Sequence, residues 1–279
     1  MAQLQAPAFT YLFVPGNRPE RFDKALASGA DRIILDLEDA VSPGDKAFAL
    51  DAIANWLDTE RPDKSRVLVR INDVTTPWFE QDVAMLSRSQ PCGAMLSKCE
   101  SAEQLETVRR AMSPDAELVA LLETAKGIAQ VHGIAHCAFV SRLALGGLDL
   151  MVDLDVPAHS PTMVHAASQL VIASRAAGLP QPIAGVTPAL DGQQVAMDMQ
   201  SALALGFGAK MCIHPMQLAA VRAAIQPDPA ELDWARRVLQ AWGASESSGA
   251  VTGVIQVDGK MVDRPVVLRA ERVLARAAS

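Results

Sequence analysis

Short runs of Val, Ile and Leu recur along the chain, each followed by a longer segment whose apolar residues return every third or fourth position. The runs at 11–15, 32–37, 66–71, 93–98, 117–123, 142–146, 182–186 and 210–214 are predicted strands. The segments at 21–28, 45–58, 79–87, 102–111, 125–136, 160–177, 193–205 and 215–224 are predicted helices. Strict alternation of this kind implies parallel strands joined by right-handed crossovers. Eight repeats point to an α/β fold closed as a (β/α)8 TIM barrel over residues 1–225. No Gly-x-Gly-x-x-Gly loop follows the first run, which counts against a dinucleotide-binding sheet.

The punctuation supports these boundaries. Ser101 with Gln104 three positions on is a capping-box signature. Gly178 followed by Pro180 is a helix stop. Gln226-Pro-Asp-Pro229 marks the end of the barrel. Beyond it, residues 230–242 predict a helix, 244–250 a flexible joint and 251–257 a strand. Asp258-Gly259 predicts a turn and 264–276 a last helix. This tail, 226–279, is surplus to a barrel and is read as a lid, an oligomerisation segment, or both.

Composition narrows the class of function. Of 279 residues, 50% are hydrophobic and only 4% aromatic, so the core is aliphatic. The net charge of −7 is spread along the chain, which argues against nucleic acid as a partner. No apolar stretch reaches the roughly 18–20 residues of a membrane span. The first residues show no signal-peptide pattern. Cys92, Cys99, Cys137 and Cys212 lack Cys-x-x-Cys spacing and are read as free thiols in a reducing cytoplasm.

In such a barrel the strand C-termini and the loops after them form the site. Polar residues recur there: Asp36, Glu38 and Asp39, Arg70 and Asn72, Lys98 and Glu100, Glu123, Asp149 and His214. Glu123 and Asp149 each close an apolar run, where an ionised carboxylate is costly without a partner. The pair suits a hard divalent cation such as Mg²⁺, completed by water and a chelating acid, or ion pairs with Arg or Lys. Zinc is disfavoured because no His or Cys adjoins either acid. Arg70 suits a two-point grip on a substrate carboxylate, an ion pair with the 36–39 acids, or both. His132 and His136, spaced i, i+4, read as surface or packing residues. Arg264, Arg269, Arg272 and Arg276 read as a solvated helix face.

Seven segments together carry a resemblance. They are Phe13-Val-Pro-Gly-Asn-Arg-Pro-Glu-Arg21, Ile34-Leu-Asp-Leu-Glu-Asp-Ala-Val41, Val69-Arg-Ile-Asn72, Leu121-Leu-Glu-Thr-Ala-Lys-Gly127, Leu145-Gly-Gly-Leu-Asp149, Gly208-Ala-Lys-Met-Cys-Ile-His-Pro215 and Asp258-Gly-Lys-Met-Val-Asp-Arg-Pro265. In this order, over nearly the whole chain, they resemble the HpcH/HpaI aldolase/citrate lyase family, with its citrate lyase beta subunits and malyl-CoA and citramalyl-CoA lyases. The resemblance implies a Mg²⁺-dependent carbon–carbon lyase in trimers or hexamers, acting on a CoA thioester and a 2-keto acid. By the same resemblance Glu123 and Asp149 are metal ligands and Arg70 grips the acid. Phe13, Arg18 and Lys24 line the CoA-ester site, and Asp263 is a catalytic acid delivered by a neighbouring subunit's lid. Departures at Ser97-Lys-Cys-Glu-Ser101, Ile183-Ala-Gly-Val186 and Gly146-Gly-Leu-Asp149 leave the substrate open among malyl, citramalyl and citryl thioesters. A citryl-carrier-protein lyase subunit and a keto-acid-binding barrel without turnover are the alternatives.

Overall fold

Runs of four to six aliphatic residues are too short for stable helices and bury well on both faces of a parallel sheet. In the computed structural model, which describes residues 8–59, 64–247 and 253–277, they do so. The strands are β1 (Thr10–Pro15), β2 (Arg32–Asp36), β3 (Val67–Ile71), β4 (Gly93–Leu96), β5 (Glu117–Leu122), β6 (Arg142–Leu145), β7 (Ile183–Ala184) and β8 (Ala209–Cys212). Each pairs in parallel with the next, and β1 also pairs with β8, so the sheet closes as a barrel. The (β/α)8 expectation is therefore met.

The helices of this unit are α1 (Phe22–Leu26), α2 (Lys46–Thr59), α3 (Phe79–Ser89), α4 (Ala102–Arg110), α5 (Ala125–Ala129), α6 (Val131–Ala135), α7 (Gly147–Leu154), α8 (Pro161–Ala176), α9 (Gly192–Leu205) and α10 (Gln217–Ile225). Ser101 caps α4 as expected, with the reciprocal Gln104 bond of a capping box. Thr124, Ser160 and Asp191 cap α5, α8 and α9.

Three details depart from the sequence reading. The predicted 125–136 helix is two short helices broken at Gln130, and Gly127 and Gly133 lower its helical propensity. β7 has two residues where five were expected. A short helix, α7, follows β6 directly, because the apolar run at 142–149 changes from strand to helix at Gly146-Gly147.

Alternation along the strands fills the barrel. Tyr11, Ile34, Leu68, Met95, Val119, Leu121, Ala144, Ile183, Ala209 and Met211 form one buried cluster of inward-facing side chains. A polar network lies where the strands begin. The Tyr11 hydroxyl donates to Glu117 (3.0 Å), Arg142 donates to the Tyr11 oxygen (3.3 Å), and Arg32 pairs with Glu117 (3.0 Å).

The chain divides into Ala8–Arg222, which holds the barrel, and a second unit that takes in Ala223–Ser279. In the second unit α11 (Pro229–Ser247) and α12 (Arg264–Ala277) flank a hairpin of β9 (Val254–Val257) and β10 (Lys260–Asp263). The hairpin turns at Asp258 and Gly259, both left-handed at φ 51° and 74°, as an Asp-Gly turn allows. Ala235, Val238, Val262, Val267, Ala270 and Val273 make its core. The expected joint at 244–250 is helical to Ser247, and its last three residues lie outside the described ones, as do 251 and 252 of the expected strand. The basic face is only partly solvated: Arg269 stacks over Trp234 (4.9 Å) and Arg276 pairs with Glu231 (3.2 Å).

No described helix is long and apolar enough to cross a membrane. Ile34 is fully buried inside the barrel. Replacing it with Ala should cost about 2–5 kcal/mol of unfolding free energy, measured by urea titration.

Candidate active site

Two residues beyond the last apolar layer, the same inward alternation delivers a different set of side chains. Phe13 follows Tyr11 on β1, Asp36 follows Ile34 on β2, Arg70 follows Leu68 on β3, and Glu123 follows Leu121 at the end of β5. They line a cavity of about 310 Å³ at the C-terminal ends of the strands. Asp39 from the β2 loop and Asp149 from the first turn of α7 complete its wall, over a floor of Leu121 and Met211.

Arg70 is 8% exposed. Its Nε and Nη2 donate to the two Asp36 oxygens at 2.6 Å each, a two-point pair. Its Nη1 meets Glu38 at 3.0 Å, with Asp39 at 3.8 Å, and its guanidinium stacks on Phe13 at 4.7 Å. Two of the five guanidinium donors are spent on Asp36, and Nη1 is ion-paired with Glu38. Of the two roles open to Arg70 in sequence, the ion pair is present and leaves room for the carboxylate grip.

Glu38 is 5% exposed and bridges two cations, Arg70 and the Lys98 Nζ at 2.5 Å. Burial raises its pKa, against the pull of Arg70 and Lys98. Glu123 is 1% exposed, and its Oε1 accepts the Lys98 backbone N–H at 2.8 Å. Its pKa is pushed up to about 8, first by burial and then by Glu38, with the Lys98 amide and Arg70 opposing and Asp149 adding to the rise. Asp149 sits on the first turn of α7, where the helix dipole favours a negative charge.

Asp36, Glu38, Asp39, Glu123 and Asp149 thus stand against Arg70, Lys98 and Lys46, an excess of carboxylates that a bound cation would offset. Among the described residues no three His, Cys, Asp or Glu side chains are grouped to enclose a metal. A cation held by Glu123 and Asp149 would therefore draw the rest of its shell from water and a bound acid, as Mg²⁺ commonly does.

A second layer holds the mouth from below. The Lys46 ammonium donates to the carbonyls of Leu37 (2.6 Å) and Glu38 (2.7 Å) and to the Asn72 side chain (2.7 Å). Asn72 donates twice to Asp82 Oδ2, from its backbone (2.9 Å) and its side chain (2.7 Å). Lys46 and Asp82 were not anticipated. They lie on helices outside the barrel, and nothing in their spacing marks them.

Of the residues singled out in sequence, Phe13, Arg70, Glu123 and Asp149 share the cavity. Arg18 and Lys24 do not line it. Arg18 lies in the loop after β1 beside Glu20 (3.8 Å), and Lys24 is exposed on α1. Asp263 belongs to the second unit, where its Oδ1 accepts the Val266 N–H (3.3 Å) and caps α12. His132 bonds Gln169 at the surface, and His214 accepts the Met216 N–H, so neither joins the cavity.

Gly146 lies against Glu123: a Cβ there would fall 2.3 Å from Oε2 and 2.5 Å from the Glu123 Cβ. At Gly147 a Cβ meets nothing within 4 Å. Gly146→Ala should lose about 1–3 kcal/mol of stability by chemical denaturation, whereas Gly147→Ala should stay within about 0.5 kcal/mol. Burial also lifts the Asp82 pKa to about 6, with the Asn72 bonds and Lys46 opposing. A carboxyl whose folded pKa is raised favours the folded state most below its unfolded value of 3.8, and that advantage is lost as pH rises through about 6. Asp82→Asn should flatten the fall in stability across this interval, measured as urea midpoints against pH.

Comparisons with known proteins place the chain among relatives of the same fold. A citrate lyase subunit beta-like protein of Mycobacterium tuberculosis is 36% identical over 98% of this chain and 97% of its own. A (3S)-malyl-CoA thioesterase of Cereibacter sphaeroides is 32% identical over 99% and 97%. The crystal structure of CitE from M. tuberculosis with magnesium, acetoacetate and coenzyme A superposes with a TM-score of 0.84 at 34% identity, over 99% of this chain and 100% of that one. The same organism's citrate lyase beta subunit with oxaloacetate and magnesium gives a TM-score of 0.70 at 32% identity, over 80% and 98%. The model of the HpcH/HpaI aldolase/citrate lyase family matches residues 10–215, and this chain belongs to that family.

Proposed function

We propose that this protein is a Mg²⁺-dependent carbon–carbon lyase that cleaves or forms a 3-hydroxyacyl-CoA, such as malyl-CoA or citramalyl-CoA. Acetyl-CoA and a 2-keto acid are the other side of the reaction. The observation that carries the reading is the cavity wall shared by Glu123, Asp149 and Arg70. Relatives that hold magnesium together with acetoacetate or oxaloacetate support it.

Glu123 and Asp149 fit the ion by donor chemistry, two carboxylates in an acid-rich mouth. When bound there, Mg²⁺ would polarise the oxygens of the acid's carboxylate and its neighbouring hydroxyl or keto group. Arg70 binds the carboxylate through Nη1 and Nη2, and Asp36, Glu38 and Phe13 keep its guanidinium from turning. In cleavage the hydroxyl proton leaves to a base. The carbon–carbon bond breaks, its electron pair passes to the thioester enolate, and the α-carbon takes a proton to give acetyl thioester. In this reading Asp263 exchanges that α-proton, supplied by a neighbouring copy in a homotrimer or hexamer, with the C-terminal segment as lid. Phe13, Arg18 and Lys24 contact the CoA ester. The free thiols Cys99, Cys137 and Cys212 support a cytoplasmic setting.

A second reading, thioester hydrolysis, is favoured by the relatives named malyl-CoA thioesterases. One experiment separates the two. The purified protein is offered a panel of hydroxyacyl-CoA esters, with Mg²⁺ or EDTA, and both keto acid and free CoA thiol are followed. Lyase action releases glyoxylate, pyruvate or oxaloacetate with acetyl-CoA and no free thiol; hydrolysis releases thiol and hydroxy acid. Glu123→Ala and Asp149→Ala should each lower turnover about 100-fold or more, as loss of a metal ligand does. Full activity in either variant would remove the basis for the proposal.

A further inference from the structure

Lys98 is left-handed, at φ 46°, although it is neither Gly nor Asn. The neighbouring amides show what this does. The Ser97 N–H donates to the Ile71 carbonyl beside β3, whereas the Cys99 N–H donates to Leu121 on β5. In a regular strand residues 97 and 99 would point to the same side and residue 98 to the other. The left-handed residue breaks that alternation: the Cys99 amide joins the Lys98 amide in facing β5 and takes the strand carbonyl, which frees the Lys98 amide for a side chain. Cys99 takes the Leu121 carbonyl, and Lys98 takes the Glu123 side chain, Oε1, at 2.8 Å.

The other end of Lys98 is fixed as well. Its Nζ donates to Glu38 Oε1 at 2.5 Å, and Glu38 Oε2 is held by the Asp39 amide at 2.9 Å and by Arg70 at 3.0 Å. One oxygen of Glu123 is therefore occupied by backbone. The other, Oε2, faces Gly146, which leaves space because it has no side chain.

We propose that Lys98 is a positioning residue for Glu123. Its ion pair with Glu38 holds the left-handed backbone, whose amide fixes Oε1 and leaves Oε2 as the oxygen offered to the cation. This rests on the reading of Glu123 as a metal ligand. The amide, not the positive charge, is the active element, and the two make opposite predictions. Removing a cation beside a metal site strengthens metal binding by Coulomb's law. Losing the amide that orients a ligand weakens it, by roughly tenfold or more.

The test uses the full chain and direct Mn²⁺ and Mg²⁺ binding, by calorimetry and Mn²⁺ electron paramagnetic resonance, with a thermal melt for each variant. Lys98→Gly adopts a positive φ freely and keeps the amide, so it should bind at least as tightly as the parent. Lys98→Ala resists that conformation and should bind about tenfold or more weakly. Glu38→Gln should weaken binding about tenfold more with Lys98 present than in the Lys98→Gly background, where only the lost negative charge acts, a comparison that stands if Lys98→Ala does not fold. Equal affinities for Lys98→Gly and Lys98→Ala, or tighter binding by Lys98→Ala, overturn the positioning role while leaving the metal site standing. If the parent binds no ion that Glu123→Ala abolishes, both the site and this role fall.

Discussion

The mouth of the barrel depends on one charge network, in which Asp36 and Glu38 hold Arg70 and Glu38 also holds Lys98. An arginine that is 8% exposed and an acid that is 5% exposed would each be costly alone. Together they satisfy one another and fix the side chains around the cavity. Phe13 covers a face of the guanidinium, and Glu123 is tied in through the amide of Lys98. The network is a scaffold for ligand groups as much as a source of stability. Its geometry spends two donors of Arg70 on Asp36 and one oxygen of Glu123 on the Lys98 amide.

The barrel makes this possible through periodicity. Inward positions two residues apart stack aliphatic layers, and one step further the same rows present Phe13, Asp36, Arg70 and Glu123. A one-residue slip in any of these strands would turn the functional side chain toward the helices. The register is held by the closed hydrogen-bonded sheet and by the aliphatic core beneath the site. The Lys46–Asn72–Asp82 layer pins the loop after β2 to α3.

Within its family the chain combines an acid-rich, partly desolvated mouth with an open cavity, an arrangement suited to small acids that chelate a cation. The relatives include both lyase-type proteins and thioesterases, so fold and family do not choose the bond that breaks.

Strand and helix positions were legible because aliphatic runs and helical spacing alternate without interruption, and eight such units admit one closed solution. Glu123, Asp149 and Arg70 were legible because charge at the end of a buried run is conspicuous. The break at Gln130, the short β7 and the separate α7 were not, since local propensity at glycine-rich steps is nearly balanced and packing decides it. Nor did the residues announce which oxygen of Glu123 is held, that Lys98 is left-handed, or that Lys46 and Asp82 brace the mouth. What the amino-acid order determined by itself was the barrel and the identities of its charged rim. Tertiary structure alone decided which charges pair, because pairing depends on distances between strands far apart in sequence, and those distances exist only once the sheet has closed.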